Sequence, residues 1–171
     1  MNAPIQKLYK LTDLSAAGDE VVIDSAGDDL VRLAQWAGVE VITSFRGRIT
    51  LSKLSQTRFA YEAELSADIV QSCVVTSEPV RSHIARSFSR ILHLIASRAA
   101  DREETIDLAP GDDDAPEEIE SPRYDLATPL LEELALAIDP YPRAPGAAFE
   151  APAAPPPADE SPFSVLKKLT R

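Results

Sequence analysis

Apolar and polar residues alternate with a period of two from residue 39 to residue 52. Val39, Val41, Thr43, Phe45, Gly47, Ile49 and Leu51 fall on one side, and Glu40, Ser44, Arg46, Arg48, Thr50 and Ser52 on the other. Such a period gives a strand with one buried face and one wet face. Residues 58–65 repeat it, with Phe59, Tyr61, Ala63 and Leu65 opposite Arg58, Glu62 and Glu64, and residues 67–75 carry it on through Ile69 and Cys73. Consecutive strands of this kind pair antiparallel. Upstream, residues 5–11 and 21–24 read as two short strands, the second rich in β-branched side chains, parted by Ala17-Gly18-Asp19.

The period changes twice to that of a helix. After Asp28 or Asp29 as N-cap, Leu30, Leu33, Ala34 and Ala37 form one stripe with Trp36 at its edge, and Gly38 stands where a left-handed C-cap belongs. Between residues 125 and 138, Leu126, Leu130, Leu131, Leu134, Leu136, Ala137 and Ile138 recur at helical spacing, with Glu132 and Glu133 on the far side. Thr128-Pro129 suits a cap followed by proline at the first helical position, and Asp139-Pro140 ends the helix because the residue before proline disfavours α geometry. Residues 80–95 fit both periods: Val80, Ile84, Phe88, Ile91, Leu92 and Ile95 suit a helix, whereas Ile84, Arg86, Phe88, Arg90 and Leu92 recur at every second position as along one face of a strand.

The chain has 171 residues, 44% of them hydrophobic, enough for one core of domain size with segments left for tails. Its first residues lack the apolar run of a signal peptide, and no later run approaches the ~20 residues of a membrane span. The expectation is a cytoplasmic protein with no membrane partner. The net charge of -11 is unevenly spread: residues 31–100 carry a net of +4 and residues 101–160 a net of -14. The acidic segment, with Asp112-Asp113-Asp114 and Glu117-Glu118 and few large apolar residues, has the composition of a solvated arm. It lacks the alternate ligands, central glycine and distal glutamate of an ordered calcium loop. Residues 141–160 hold Pro142, Pro145, Pro152 and Pro155-Pro156-Pro157, which favour an extended linker.

Chemistry-bearing residues are sparse. A single cysteine, Cys73, forms neither an internal disulfide nor a four-ligand zinc site. His83 and His93 would lie about 33 Å apart on a strand and about 15 Å apart on a helix, too far to share a metal. A Cys73 and His83 pair across a hairpin is geometrically open, but a buried strand cysteine behaving as a small hydrophobe accounts for the residue more simply. No Gly-rich phosphate loop, His-Glu-x-x-His or Gly-x-Ser-x-Gly occurs. The reading is no catalytic residue, no metal, no cofactor and no small-molecule substrate.

Two features point to binding instead. Arg46 and Arg48 project from the same strand face, and Lys53, Arg58, Arg86 and Arg90 extend that patch if the strands are neighbours. Clustered cations contact phosphates without reading sequence, although arginines also keep a sheet face soluble and discourage edge pairing. At the C-terminus, Phe163, Val165, Leu166 and Leu169 form an apolar stripe behind Ser161-Pro162, with Lys167, Lys168 and Arg171 at the favourable end of a short helix. Fewer than about twelve residues do not hold an isolated helix. The hook therefore docks, either on its own domain or in a partner's groove.

The order Tyr124-Asp125-Leu126, Leu131-Glu132-Glu133-Leu134-Ala135-Leu136, Pro140-Tyr141-Pro142-Arg143-Ala144-Pro145-Gly146 and Pro162-Phe163-Ser164-Val165-Leu166-Lys167 resembles the YceD family of bacterial proteins. That family is also called large ribosomal RNA subunit accumulation protein, or domain of unknown function 177. The resemblance extends upstream to Ser72-Cys73-Val74-Val75-Thr76-Ser77-Glu78-Pro79-Val80, and it places a strand over residues 80–95. It implies a non-enzymatic factor that supports large ribosomal subunit biogenesis and accumulation of 23S ribosomal RNA, with ribosomal RNA or a large-subunit ribosomal protein as partner. An acidic adaptor or chaperone for a basic protein, without RNA contact, is the alternative.

The expected architecture is α+β: an antiparallel, curved or barrel-like sheet with two packed helices, an acidic loop and a flexible Pro-rich C-terminal tail. Residues 1–100 form the sheet-rich body with a helix near 28–37, and residues 101–122 the acidic flexible segment. Residues 123–139 form a helix packed on the body, 140–160 the linker and 161–171 the hook.

Overall fold

The computed structural model describes residues 3–95 and 116–149, so the hook and most of the acidic segment lie outside the described residues. Strand β1 (Leu8–Lys10) is followed by a 3-10 turn (Leu11–Asp13), β2 (Asp19–Ser25), helix α1 (Asp28–Ala37), β3 (Val41–Lys53), β4 (Arg58–Ser72) and β5 (Pro79–Leu94). Then come β6 (Glu117–Ile119), β7 (Arg123–Asp125) and helix α2 (Ala127–Ala137). The main sheet runs β2-β3-β4-β5-β6, antiparallel except for the β5–β6 pair, and β1 pairs with β7 in a two-stranded sheet. The fold is α+β as expected, but the main sheet stays open, with β2 and β6 as its edges. It is not a barrel.

The alternation in residues 45–51 and 59–69 sets the core. Phe45, Ile49, Leu51, Phe59, Tyr61, Leu65 and Ile69 all point to one face and are at most 2% exposed. A bulge between Ile42 and Ser44, where β3 spends two steps against one of β4, corrects the reading of the strand's start. It reverses the phase, so Ile42 is buried whereas Val41 is 45% exposed. In this region Pro79–Leu94 is strand. β4 pairs with β5 in unbroken register from Ser72↔Pro79 to Arg58↔His93, and long-range pairing outweighs the ambiguous local period.

Both helices lie on the core face. Leu33 and Ala34 of α1 are buried, with Leu30, Trp36 and Ala37 packed partly against them. The helix starts at Asp28 after Gly27 (φ 58), so the two aspartates sit in the first turn near the positive end of the dipole and do not cap it. Gly38 (φ 68) ends it in the left-handed conformation, as the sequence indicated. Helix α2 buries Leu126, Leu130, Leu131 and Leu134, while Leu136 is 79% exposed. It begins at Ala127, two residues before Pro129, so Thr128-Pro129 is already inside the helix. The start is fixed by Asp125, whose Oδ1 accepts N–H bonds from Ala127 (3.1 Å) and Lys7 (2.7 Å). One carboxylate thus joins the N-terminal strand to the last helix.

Two short strands escape sequence reading. β6 falls at the end of the segment expected to be a solvated arm, and β7 falls where the last helix was expected to begin. Each is three residues long, with Ile119 of β6 the one buried residue of the pair. Such strands carry almost no periodic signal.

Candidate functional site

No described element covers the second face of the β3–β4–β5 sheet. Register places its residues in rows: Asp24, Arg46, Ser66 and Ala85; Val22, Arg48, Glu64 and Ser87; Glu20, Thr50, Glu62 and Ser89. Ladder neighbours stand about 5 Å apart. The centre is built from small residues on β4 and β5, which leaves a shallow hollow of about 430 Å³ beside Arg46 and Arg48. A second hollow of about 500 Å³ lies over Glu20, Thr50 and Glu62. Among the described residues neither Arg46 nor Arg48 has a carboxylate within ion-pair distance. The face therefore offers two available guanidinium groups amid carboxylates on two strands, β2 and β4.

Of the other four predicted cations, Arg86 alone borders the hollow beside Arg46 and Arg48. Arg58 shares the face but sits at its far end, opposite His93, while Lys53 is aligned with Phe59 and Arg86 with Leu65, on the core side of the pleat. Arg90 is aligned with Tyr61 on that side and is already engaged. It bonds Glu132 at 3.0 Å and approaches Glu133 at 3.6 Å and Glu117 at 3.8 Å, tying β5 to α2 and β6. The expected single patch is thus divided between two faces. The cause is the phase of β5: odd residues face outward, which brings Arg81 and His83 to the open face and turns Arg86 and Arg90 to the core side of the pleat, with Arg86 still bordering the hollow. His83 Nδ1 lies 2.7 Å from Asp68 Oδ1, and Asp68 also accepts from the Ser44 hydroxyl at 2.6 Å. Those two bonds, the Ser44 one first, hold the Asp68 carboxyl below its ordinary value.

A part-buried polar cluster joins β4, β6 and β7. Tyr124 donates to the Glu117 carboxylate (3.1 Å to Oε2), its ring centroid 6.2 Å from that of Tyr61. The Tyr61 ring packs edge-on against Phe88, and its buried hydroxyl, near that of Tyr124, has no hydrogen-bond partner of ordinary geometry among the described residues. Burial pushes the Tyr61 phenol up to about 12. In the sequence Tyr61 falls on the apolar side of its strand and nothing marks the cluster, because β6 and β7 bring Glu117 and Tyr124 to it.

Cys73 begins the β4–β5 turn. His83 is aligned with Asp68, five residues along β4 from Cys73, about 16 Å at strand rise. The two do not meet. The cysteine is buried, and its Sγ accepts N–H bonds from Ala144 (3.3 Å), Val75 and Thr76 (3.4 Å each). These bonds, Ala144's the strongest, draw the thiol down to about 6. Val74 N–H donates to Pro142 C=O (2.9 Å) and Gln71 Nε2 to Asp139 C=O (2.9 Å), so the segment after α2 is strapped across this turn. The cysteine serves as an anchor for that strap.

Among the described residues, no group of three His, Cys, Asp or Glu side chains is placed to hold a metal ion, and no helix is long and apolar enough to cross a membrane. The family model described as large ribosomal RNA subunit accumulation protein YceD matches residues 61–170. No curated protein and no solved structure gives a significant match.

Proposed function

As the chain belongs to the YceD family of large ribosomal RNA subunit accumulation proteins, we propose that it supports accumulation of 23S ribosomal RNA by binding a precursor of the large subunit in the cytoplasm, without turnover. The observation that carries the site is the open sheet face, where Arg46 and Arg48 stand over a hollow with no ion-pair partner among the described residues. Two guanidinium groups on a rigid strand contact phosphate oxygens without reading bases. Nearby Glu20, Glu62 and Glu64 keep such contacts few, so affinity falls with salt on a shallow slope. Arg58 and Arg81 lie on the same face and extend the contact. The C-terminal residues Phe163, Val165, Leu166, Lys167 and Leu169 supply a second anchor.

The five carboxylates of this face, Glu20, Asp24, Glu62, Glu64 and Asp68, favour a second reading, an acidic adaptor for a basic protein. Density-gradient sedimentation of the tagged protein from a native lysate separates the two. Under the RNA reading it travels with large-subunit precursors, ribonuclease releases it, and Arg46→Glu with Arg48→Glu shifts it to the top. Retention by the double variant together with ribonuclease resistance refutes the RNA reading and supports the adaptor. A protein that stays at the top in gentle salt refutes particle binding altogether.

A further inference from the structure

Strand β5 is sixteen residues long, yet among the described residues it is paired on the side away from β4 only at Leu92–Leu94, with β6. The direction of each backbone group follows from the flanking bonds. Leu94 N–H donates to Thr57 C=O (2.8 Å) and Cys73 N–H to Glu78 C=O (2.8 Å), so even-numbered β5 residues bond β4. Ile95 N–H donates to Ile119 C=O (3.0 Å), so odd-numbered residues turn to the other side. Arg81, His83, Ala85, Ser87 and Ser89 therefore direct their N–H and C=O groups away from the sheet, over a length of roughly 27 Å. All five are exposed, and no backbone bond among the described residues reaches them.

Open edges are templates for a further strand, which proteins commonly blunt with bulges, prolines or short length. β5 has none of these along this stretch: its register with β4 is unbroken, and its one proline is at the first position, Pro79. What it does carry is charge of one sign. The strand holds three arginines and two histidines and no carboxylate. Arg90 is neutralised by Glu132 and Glu133, whereas Arg81 and Arg86 are exposed and have no ion pair among the described residues. On the core side the order is Ile84, Arg86, Phe88, with Arg86 exposed between a buried and a half-buried apolar residue.

We propose that the β5 edge from Arg81 to Ser89 takes up an extended acidic segment of a partner protein as an added strand. The core-side row selects the occupant: an apolar residue against Ile84, a carboxylate against Arg86 and an apolar residue against Phe88, spaced two apart. Backbone bonds give the affinity and this row the choice. A second copy joined through its own β5 is disfavoured, because it would set a strand of arginines and histidines against its like.

The probe is a capped nine-residue peptide of threonines carrying Val, Glu and Val at alternate central positions, and its control carries Lys in place of Glu. Amide hydrogen exchange of the full chain is followed by NMR. The expected result is that the Glu peptide slows exchange at Arg81, His83, Ala85, Ser87 and Ser89 by at least about tenfold, while their even-numbered neighbours, already bonded to β4, change little. Arg86→Glu, on an exposed side chain, should transfer binding to the Lys peptide. Ala85→Pro, which deletes an N–H that β4 does not use, should abolish binding of either. Three results overturn the proposal: odd-numbered amides already protected in the free monomer, protection that appears with rising protein concentration alone, or equal response to both peptides or to neither.

Discussion

Gly47 decides how closely α2 can lie on the sheet, and replacing it tests that placement. A Cβ at Gly47 would stand 2.2 Å from Leu130 Cδ1 and 3.3 Å from its Cδ2 and Cγ, against about 3.5–4.0 Å for relaxed carbon contacts. Leu130 would have to withdraw by more than about 1 Å, and it is fully buried among α2's other leucines. Overpacking of this kind costs about 1–3 kcal/mol. Gly47 has no positive φ, so alanine fits the backbone and returns about 0.4–1 kcal/mol by restricting the unfolded chain. The net for Gly47→Ala is a loss of about 1–2 kcal/mol, which lowers a urea midpoint by roughly 0.5–1 M at ordinary slopes. Leu130→Ala alone should lose about 2–5 kcal/mol through its cavity. In the double variant the new methyl occupies part of that cavity, so the combined loss should fall short of the sum by about 1 kcal/mol or more. Equilibrium urea unfolding of the four proteins measures the cycle. Additive losses, or a midpoint raised by Gly47→Ala, would refute the seating of Leu130 on Gly47.

Three further outcomes follow from the buried groups. Tyr61→Phe removes a hydroxyl that has no hydrogen-bond partner among the described residues, so thermal unfolding should show no loss and a gain of up to about 1 kcal/mol; a clear loss would mean that the hydroxyl is bonded. Arg90→Gln leaves three carboxylates, one on β6 and two on α2, without their shared cation, and should cost roughly 1–2 kcal/mol at low salt with faster amide exchange in β6, an effect that shrinks as salt rises. The Cys73 thiol, drawn down from its ordinary 9 to about 6 in the fold, links strap stability to pH. Its folded value lies below its unfolded one, so that contribution is present above about pH 9 and is lost as pH falls through about 6. Exchange at Ala144 and Thr76, corrected for intrinsic rates, should speed up over that window, and Cys73→Ala should flatten the profile. A slope that survives the substitution would assign it to another group.

Local periodicity was enough for the central elements. The alternation from Phe45 to Leu51 and from Phe59 to Ile69, the helix ended by Gly38 and the helix closed before Pro140 are all legible, because each rests on contacts within a few residues. The family was legible too, from the ordered Tyr-Pro-Arg and Pro-Phe motifs near the C-terminus. Tertiary structure alone decided the rest. The bulge at Ile42–Ser44, the phase of β5, the strands β6 and β7 and the open edges of the sheet depend on what each strand finds opposite it, and a period of two does not say which face is which. For that reason a patch of six cations, plausible in one dimension, divides in three. Arg46 and Arg48 stay free on one face, while Arg90 on the other is taken by Glu132 and Glu133, forty-odd residues away.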